Sequence, residues 1–270
     1  MAETDKNKSG DFIQRGVKKS STAGTVTLLS LRGLDPVLQY GLLTGGGAAL
    51  LGRFGIPSIA PVAAGAAVRT GTQAIDALDL PLSHLVILAM AAGSTLKQSY
   101  WLVSLSQEYF PPSSAIAVSG YNTFANSINT LLFLAAATSS VSAPVFPGTS
   151  VPYPLAVGSI LYSVGILLEV VSEYQRKVFK SDPASKGKVM RSGLWSWARH
   201  INYGGYALWR GAYSLAASGV VAGLVVGGVQ AWDFVRRAVP SLNEYCSERY
   251  GEQWESFKKD VKWTILPGIY

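Results

Sequence analysis

Charged residues are scarce in this sequence of 270 residues, where Asp, Glu, Lys and Arg together make up 14% of the chain. In an ordinary soluble domain roughly a quarter of the residues are charged. Hydrophobic residues reach 49%, and the mean hydropathy is +0.25. This composition excludes an ordinary soluble domain. It predicts a membrane protein whose main partner is the lipid bilayer.

Cysteine and histidine are also nearly absent. Cys246 is the single cysteine, so an intrachain disulfide and a metal site with two thiolates are both excluded. His84 and His200 are the two histidines, and they cannot complete a structural zinc site. We therefore expect no metal centre.

The sequence lacks the strict alternation of apolar and polar residues, over about ten positions, that is typical of a membrane β-barrel. In lipid, helices and closed barrels are the structures that pair every backbone amide. The sequence therefore predicts an all-α fold, a multi-pass transmembrane helical bundle of six to seven spans. The apolar segments run roughly over residues 35–52, 57–71, 81–97, 114–138, 151–174, 203–218 and 219–235.

The two ends of the chain differ from the apolar middle. Residues 1–24 are polar, and they lack the apolar core of about 7 to 15 residues that a cleavable signal needs. We expect a disordered or surface-lying N-terminal tail. Near the other end, Tyr250, Trp254 and Phe257 are spaced like one face of a helix. This spacing predicts a C-terminal amphipathic helix on the cytosolic side of the membrane.

The formal net charge is +7, but Lys and Arg cluster at the ends of apolar segments, a pattern that sets membrane orientation. We therefore expect no nucleic-acid partner. The densest basic stretch, residues 176–199, belongs in the cytosol by the positive-inside rule. Five spans before this stretch would place the N-terminus on the opposite side, whereas four would place it in the cytosol, and both arrangements remain open.

A polar run at a junction is the strongest candidate for chemistry. Arg199, His200, Asn202 and Tyr203 fall within five residues, between the basic stretch and an apolar segment. Such a junction suits an anionic ligand, because Arg forms bidentate hydrogen bonds to phosphate.

Two carboxylates precede the basic stretch. Glu169 and Glu173 share a helical face, and carboxylates near the end of a membrane helix are costly unless paired or hydrated. They either pair with the following cations or line a water-filled cavity together with Arg199 and His200.

Three ordered stretches, Glu169 to Lys180, Ser192 to Gly205, and Glu244 to Pro267, carry a family resemblance. Over roughly residues 155–270 the chain closely resembles the C-terminal domain of the steroid 5-alpha-reductase-like superfamily. It looks most like the fungal and bacterial multi-pass proteins of the DUF1295 type. The resemblance implies a seven-helix fold of the endoplasmic reticulum whose C-terminal half holds NADPH from the cytosolic side.

The resemblance also implies the domains and the site. A transmembrane half, residues 25–150, would supply the substrate cavity, and residues 151–270 would hold the cofactor. Glu173 stands at a usually acidic position, and Asn202 and Tyr203 match the Arg-His-Pro-Asn-Tyr motif. Ile201 replaces the motif proline, and Tyr206 replaces the glutamate that follows the motif glycine. The predicted cofactor-binding residues are Glu173, Lys180, Arg199, His200, Asn202, Tyr203 and Tyr250.

The favoured function is an NADPH-dependent reduction of a double bond in a lipid or sterol-like substrate. The fold is also similar to isoprenylcysteine carboxyl methyltransferases, which use S-adenosylmethionine, although this chain has Asn243-Glu244 where those enzymes have adjacent glutamates. A third alternative is a non-catalytic lipid-binding member of the fold. The seven cations of residues 176–199 fit a dinucleotide phosphate, and they also fit an anionic lipid.

The N-terminal half contributes two weaker candidates. Asn122, Asn126 and Asn129 recur at i, i+4 and i+7 in an apolar stretch. They either bond neighbouring helices or form the polar floor of a pocket for a hydrophobic small-molecule or lipid substrate. Glu108, with Gln107 before it, resembles a Gln-Glu pair of the steroid reductases, which makes Glu108 a candidate catalytic residue.

Overall fold

The computed structural model describes Lys19, residues 21–60 and residues 65–270. The predicted tail, residues 1–24, lies outside the described residues for most of its length. The prediction of a tail is wrong for residues 22–24, because a helix already begins at Thr22.

The described residues form helices and irregular connections, with isolated bridges but no β-strand among them. The all-α class is therefore confirmed. Short 3₁₀ turns cover Ser140–Ser142, Pro183–Ser185 and Gly193–Ser196, and π turns cover Leu42–Gly46, Trp101–Leu105 and Phe234–Ala238. The α-helices are α1 Thr22–Gly41, α2 Gly47–Arg53, α3 Gln73–Asp76, α4 Leu82–Tyr100, α5 Pro112–Leu134, α6 Tyr153–Ser181, α7 Ile201–Ser218, α8 Val220–Asp233, α9 Val239–Tyr250 and α10 Glu252–Asp260.

Proline and glycine set several helix boundaries. Helices α5 and α6 carry a proline in the first turn. Proline is tolerated there because backbone N–H groups of the first turn have no acceptor within the helix. Gly219 separates α7 from α8 with φ at +85°, a value that L side chains rarely adopt. The break falls between the predicted segments 203–218 and 219–235.

The predicted helical segment 57–71 is wrong in its described part, which contains no helix. Pro57 begins it, and Gly65 and Gly71 have positive φ angles, so the backbone cannot keep a helical path. The segment 35–52 is also not one span. It holds the end of α1, a kink at Gly45 with φ at +129°, and α2.

Helices α1, α5 and α7 run in one direction, and α4, α6 and α8 run in the other. We call the end of the bundle that carries the connection 182–200 the basic end. Lys177 near the end of α6 donates to Ser104 O at 2.5 Å, so the α4–α5 connection lies at this end. Ser21 accepts from Phe110 N of the same connection at 2.8 Å. Four long helices therefore precede the basic connection, and α1 begins at the basic end.

The main core lies where α4, α5, α6 and α7 meet, around Ile87, Phe133, Trp209 and Tyr213. Of the described helices, α6 is the one that is long and apolar enough, by length and composition, to cross a membrane. The bundle of six to seven spans therefore stays a prediction.

Candidate functional site

Glu173 is the centre of the predicted cofactor site. Its carboxylate is buried near the end of α6, where it accepts from Asn202 Nδ2 at 2.7 Å and from Arg176 at 2.5 Å. Glu173 therefore pairs with a cation of the basic stretch, which is one of the two arrangements that the sequence left open for this carboxylate. The hydrogen bond from Asn202 joins the end of α6 to the start of α7, so Glu173 and Asn202 are brought together as the motif implies.

His200 and Tyr203 form part of an aromatic stack. The His200 ring lies parallel to Tyr203, with centroids 5.7 Å apart, and Tyr203 stacks on Phe234 at 4.5 Å. Trp254 of α10 lies next to His200, with the ring centroids 6.1 Å apart and the rings tilted by 55°. The histidine is 2% exposed, so its ring is a buried packing element of this stack.

Arg199 binds the C-terminal segment of the chain. Its guanidinium donates to Val261 O at 2.5 Å, to Lys262 O at 3.0 Å and to Thr264 Oγ1 at 3.0 Å. Burial lowers the pKa of this guanidinium. The structure therefore gives Arg199 a role in fixing residues 261–264 to the start of α7, and its contact with a ligand phosphate stays a prediction.

Lys180 and Tyr250 form a second polar group at the basic end. Lys180 Nζ lies 2.5 Å from the Tyr250 hydroxyl, and the Lys180 side chain is exposed to solvent. Burial raises the pKa of the nearby Tyr245 hydroxyl, and Arg249 opposes this effect. Glu108 also raises the pKa of Tyr245, which places this candidate catalytic residue at the basic end.

The three asparagines of α5 are buried in the bundle interior. Asn122 Oδ1 accepts from Gln98 at 2.6 Å and from Arg210. Asn126 Oδ1 accepts from Arg210 at 2.9 Å, and Asn129 Oδ1 accepts from Ser214 at 2.7 Å. The three asparagines therefore form hydrogen bonds between helices, and their contact with a substrate stays a prediction.

Sequence reasoning missed the polar face of α1 that meets these asparagines. Arg32, Asp35 and Gln39 are almost fully buried. Arg32 donates to Asp35 at 2.9 Å, and Asp35 also accepts from Asn126 at 2.7 Å. The signal was available, because these three residues recur at i, i+3 and i+7 in an apolar stretch.

Glu169 has a different partner from Glu173. It pairs with Lys97 of α4 at 2.5 Å and accepts from Trp209 Nε1 at 2.8 Å. Tyr206 lies next to this pair, with Lys97 Nζ 5.1 Å from its ring. The Tyr206 hydroxyl lies 3.4 Å from Asn122 Oδ1, and its ring meets Phe234 edge-on. Tyr206 therefore connects the aromatic stack with the polar interior.

A cavity of about 610 Å³ lies at the opposite end of the bundle. It is lined by residues between Tyr40 and Leu134, including His84, all within the predicted substrate half. The predicted cofactor residues, Glu173 to Tyr250, lie at the basic end instead.

Comparison with known proteins bears on the region that contains the site. The family described as "Protein of unknown function (DUF1295)" matches residues 124–261, about half of the chain. The chain belongs to the DUF1295 family. The matched region runs from the middle of α5 to just beyond α10, so it holds all the predicted cofactor-binding residues.

Individual relatives fall into two groups. "Probable O-methyltransferase ustE" of Ustilaginoidea virens is 38% identical over 242 residues, which are 90% of this chain and 84% of that protein. "Delta(14)-sterol reductase" of Neurospora crassa is 30% identical over 161 residues, or 43% of this chain and 33% of the reductase. "7-dehydrocholesterol reductase" of Danio rerio is 31% identical over 32% of this chain and 18% of its own length.

These likenesses confirm the resemblance of this DUF1295 protein to the steroid 5-alpha-reductase-like superfamily. The DUF1295 chain covers a third or less of the two sterol reductases.

Proposed function

We propose that this protein is a membrane-embedded reductase that uses NADPH to reduce a double bond of a lipid or sterol-like substrate. The observation that carries the proposal is the joining of Glu173, Asn202 and the aromatic stack at the ends of α6 and α7. This arrangement lies inside residues 124–261, the part of the chain that the DUF1295 family matches.

The surface of the bundle supports a bilayer as partner. Ile160 and Leu167 of α6 are 64% and 60% exposed, and Val221 and Leu224 of α8 are 76% and 72% exposed. Apolar side chains in this number are unfavourable in water, and they suit contact with lipid tails. We place the protein in a membrane, with the endoplasmic reticulum as the proposed location.

The residues at the basic end fit a nicotinamide dinucleotide. The buried Asn202 Oδ1 has no hydrogen-bond partner among the described residues, and it would accept from a carboxamide or ribose hydroxyl. Lys180 offers an exposed cation for phosphate, and Glu173 holds Asn202 in place. NADPH, when bound, supplies the hydride, and the protein supplies orientation and a site from which water is excluded. Arg199 keeps the C-terminal segment docked.

A methyltransferase that uses S-adenosylmethionine is the second candidate. The relative named "Probable O-methyltransferase ustE" favours it, because that likeness extends over 90% of this chain. Asn243, which stands where the isoprenylcysteine carboxyl methyltransferases have a glutamate, accepts a hydrogen bond from Trp254 Nε1 at 2.8 Å. This bond joins α9 to α10.

Ligand-dependent stability distinguishes the two. Purified protein in a neutral detergent should melt about 5 °C higher, or more, with NADPH at about 100 times its Kd. Lys180→Gln should remove this shift and leave the midpoint without ligand unchanged, because Lys180 is exposed. Lys186→Gln is the matched control, since Lys186 is exposed on the same basic connection, and it should retain most of the shift.

A shift with S-adenosylmethionine and none with NADPH would select the methyltransferase. With no shift from either compound, the non-catalytic alternative would replace both.

A further inference from the structure

The bundle interior contains more positive than negative charge. Apart from the Glu173–Arg176 pair at the basic end, the charged side chains among the described residues of the interior are three cations and two carboxylates. Arg32, Lys97 and Arg210 are the cations, and Asp35 and Glu169 are the carboxylates. Formal charges thus leave an excess of one positive charge in a region shielded from water.

The two carboxylates are already paired. Asp35 lies 2.9 Å from Arg32, and Glu169 lies 2.5 Å from Lys97. Arg210, which is 1% exposed, has no carboxylate within 4 Å among the described residues. An unpaired charge in such a place is costly, and an intramembrane ionisable residue of this kind indicates function.

Neutral groups surround the Arg210 guanidinium. It donates to Asn126 Oδ1 at 2.9 Å, to Asn122 Oδ1, and towards the Tyr206 hydroxyl at 3.5 Å. These acceptors satisfy N–H groups, but they do not cancel the charge. An anion beside Arg210 would therefore complete the electrostatics of the interior.

Unused donors lie in the same network. Arg32 Nε and Ser119 Oγ are buried, and neither has a hydrogen-bond partner among the described residues. Arg32 reaches Ser94 at 3.1 Å, and Ser94 also accepts from Asn126 at 3.2 Å. Ser119 lies one helical turn before Asn122 on α5. The network thus retains donor capacity for an oxyanion.

We propose that the bundle interior binds a hydrophobic molecule that carries a single carboxylate, and that Arg210, with Tyr206 beside it, holds this carboxylate. This proposal rests on the proposed reductase function, because it takes the bundle interior as the site of the hydrophobic substrate. One negative charge matches the excess of one positive charge, and a guanidinium forms two parallel hydrogen bonds to a carboxylate.

The position of Arg210 separates this anion from the nucleotide. On α7, Arg210 follows Asn202 by eight residues, which is about 12 Å along a helix axis. Lys180 and Tyr250 lie beyond the start of α7 at the basic end. The anion at Arg210 therefore belongs to the hydrophobic substrate, and the nucleotide phosphates face Lys180.

Binding of oleate tests the proposal. We would measure retention of radiolabelled oleate by the full chain in phosphatidylcholine nanodiscs at pH 8, with no nucleotide present. Unlabelled oleate should displace the label, whereas methyl oleate, which has the same chain without the charge, should not.

Two variants test the role of Arg210. Asn122→Asp keeps the acceptor for Arg210 and Gln98 but supplies the missing negative charge, so it should weaken oleate binding at least about tenfold while keeping or raising the melting midpoint. Arg210→Gln should weaken binding to the same extent, and Asn122→Asp remains informative if Arg210→Gln fails to fold. Arg236→Gln, at an exposed arginine, is the control and should bind oleate as the unmodified protein does.

Three results would overturn the proposal: no oleate binding above empty nanodiscs, displacement by methyl oleate equal to that by oleate, or unchanged oleate affinity in Asn122→Asp. Because nucleotide is absent, failure here leaves the NADPH test untouched, and failure of the NADPH test leaves this assay interpretable.

Discussion

Asp35 accepts hydrogen bonds from three side chains of the bundle interior. Arg32 and Gln39 donate at 2.9 Å each, and Asn126 donates at 2.7 Å. Asn126 in turn accepts from Arg210. The Asp35 carboxylate therefore contacts the Arg32 guanidinium directly and is linked to the Arg210 guanidinium through the Asn126 amide. At the residue scale, loss of the Asp35 charge therefore disturbs three side chains at once.

Replacing Asp35 by Asn should therefore destabilise the protein by about 3–5 kcal/mol, because Arg32 is left as a buried charge without its counterion. The melting midpoint in detergent measures this loss. Asp79→Asn is the matched control, since Asp79 pairs with Arg69 on the surface, with side chains 71% and 62% exposed, and solvent screens that pair. Equal midpoints for the two variants would refute the structural role of Asp35.

Residue types indicated where some of the predicted side chains lie, but not which partners they contact. The spacing of Asn122, Asn126 and Asn129 indicated one polar helix face, and all three do lie in the interior. Arg199 was expected to contact a phosphate, yet its guanidinium donates to residues 261–264 of the chain end. Sequence alone does not reveal that acceptor, because a segment about sixty residues later must first fold back to α7.

At the scale of elements, glycines allow α6 and α7 to pack backbone against backbone. A Cβ at Gly165 would lie 2.6 Å from Trp209 N, and a Cβ at Gly158 would lie 2.6 Å from Ala216 N. Gly205 faces α6 equally closely, 2.8 Å from Glu169 N. This close approach brings Glu173 within reach of Asn202.

Gly165→Ala should cost about 1–3 kcal/mol, because the added methyl group meets backbone atoms that cannot move aside. Thermal melting with and without NADPH would show a lower midpoint and a weaker nucleotide shift. Gly33→Ala is the control, because Gly33 is an exposed glycine inside α1 whose Cβ would meet nothing within 4 Å. It should keep or slightly raise the midpoint, since Ala favours helix over Gly. A harmless Gly165→Ala would contradict the tight packing.

The apolar pattern predicted most of the long helices, because a long apolar run bounded by Pro and Gly is compatible with few structures other than a helix. The same reasoning was wrong for the described part of 57–71, where apolar residues are frequent but Pro57, Gly65 and Gly71 disfavour a helix. Apolar content alone therefore did not distinguish a helix from an irregular connection that packs against the bundle. The positive φ angles that decide the matter are set by tertiary structure.

At the scale of the whole molecule, α1 begins at the basic end, next to the α4–α5 connection. The connection between α5 and α6, residues 135–152, lies at the opposite end. The arrangement favours four long helices before the basic connection, which was one of the two possibilities left open by the charges.

Cysteine labelling in sealed membrane vesicles tests this arrangement. In a Cys246→Ser background, Ala23→Cys and Lys186→Cys should react with an impermeant maleimide from the same side. Thr149→Cys, an exposed position of the α5–α6 connection, should react from the other side. Labelling of all three positions from one side would contradict a bundle that crosses the bilayer.

The contact between α6 and α7 has a consequence for how a hydrophobic molecule reaches Arg210. The two backbones touch along the stretch from Gly158 to Gly165, so a bulky molecule has no lateral route between these helices. Helices α5 and α8 meet differently, through the hydroxyl of Tyr121 and the amide of Gln230 at 2.8 Å. This pair of side chains can separate, so we expect a hydrophobic molecule to reach Arg210 between α5 and α8 rather than between α6 and α7.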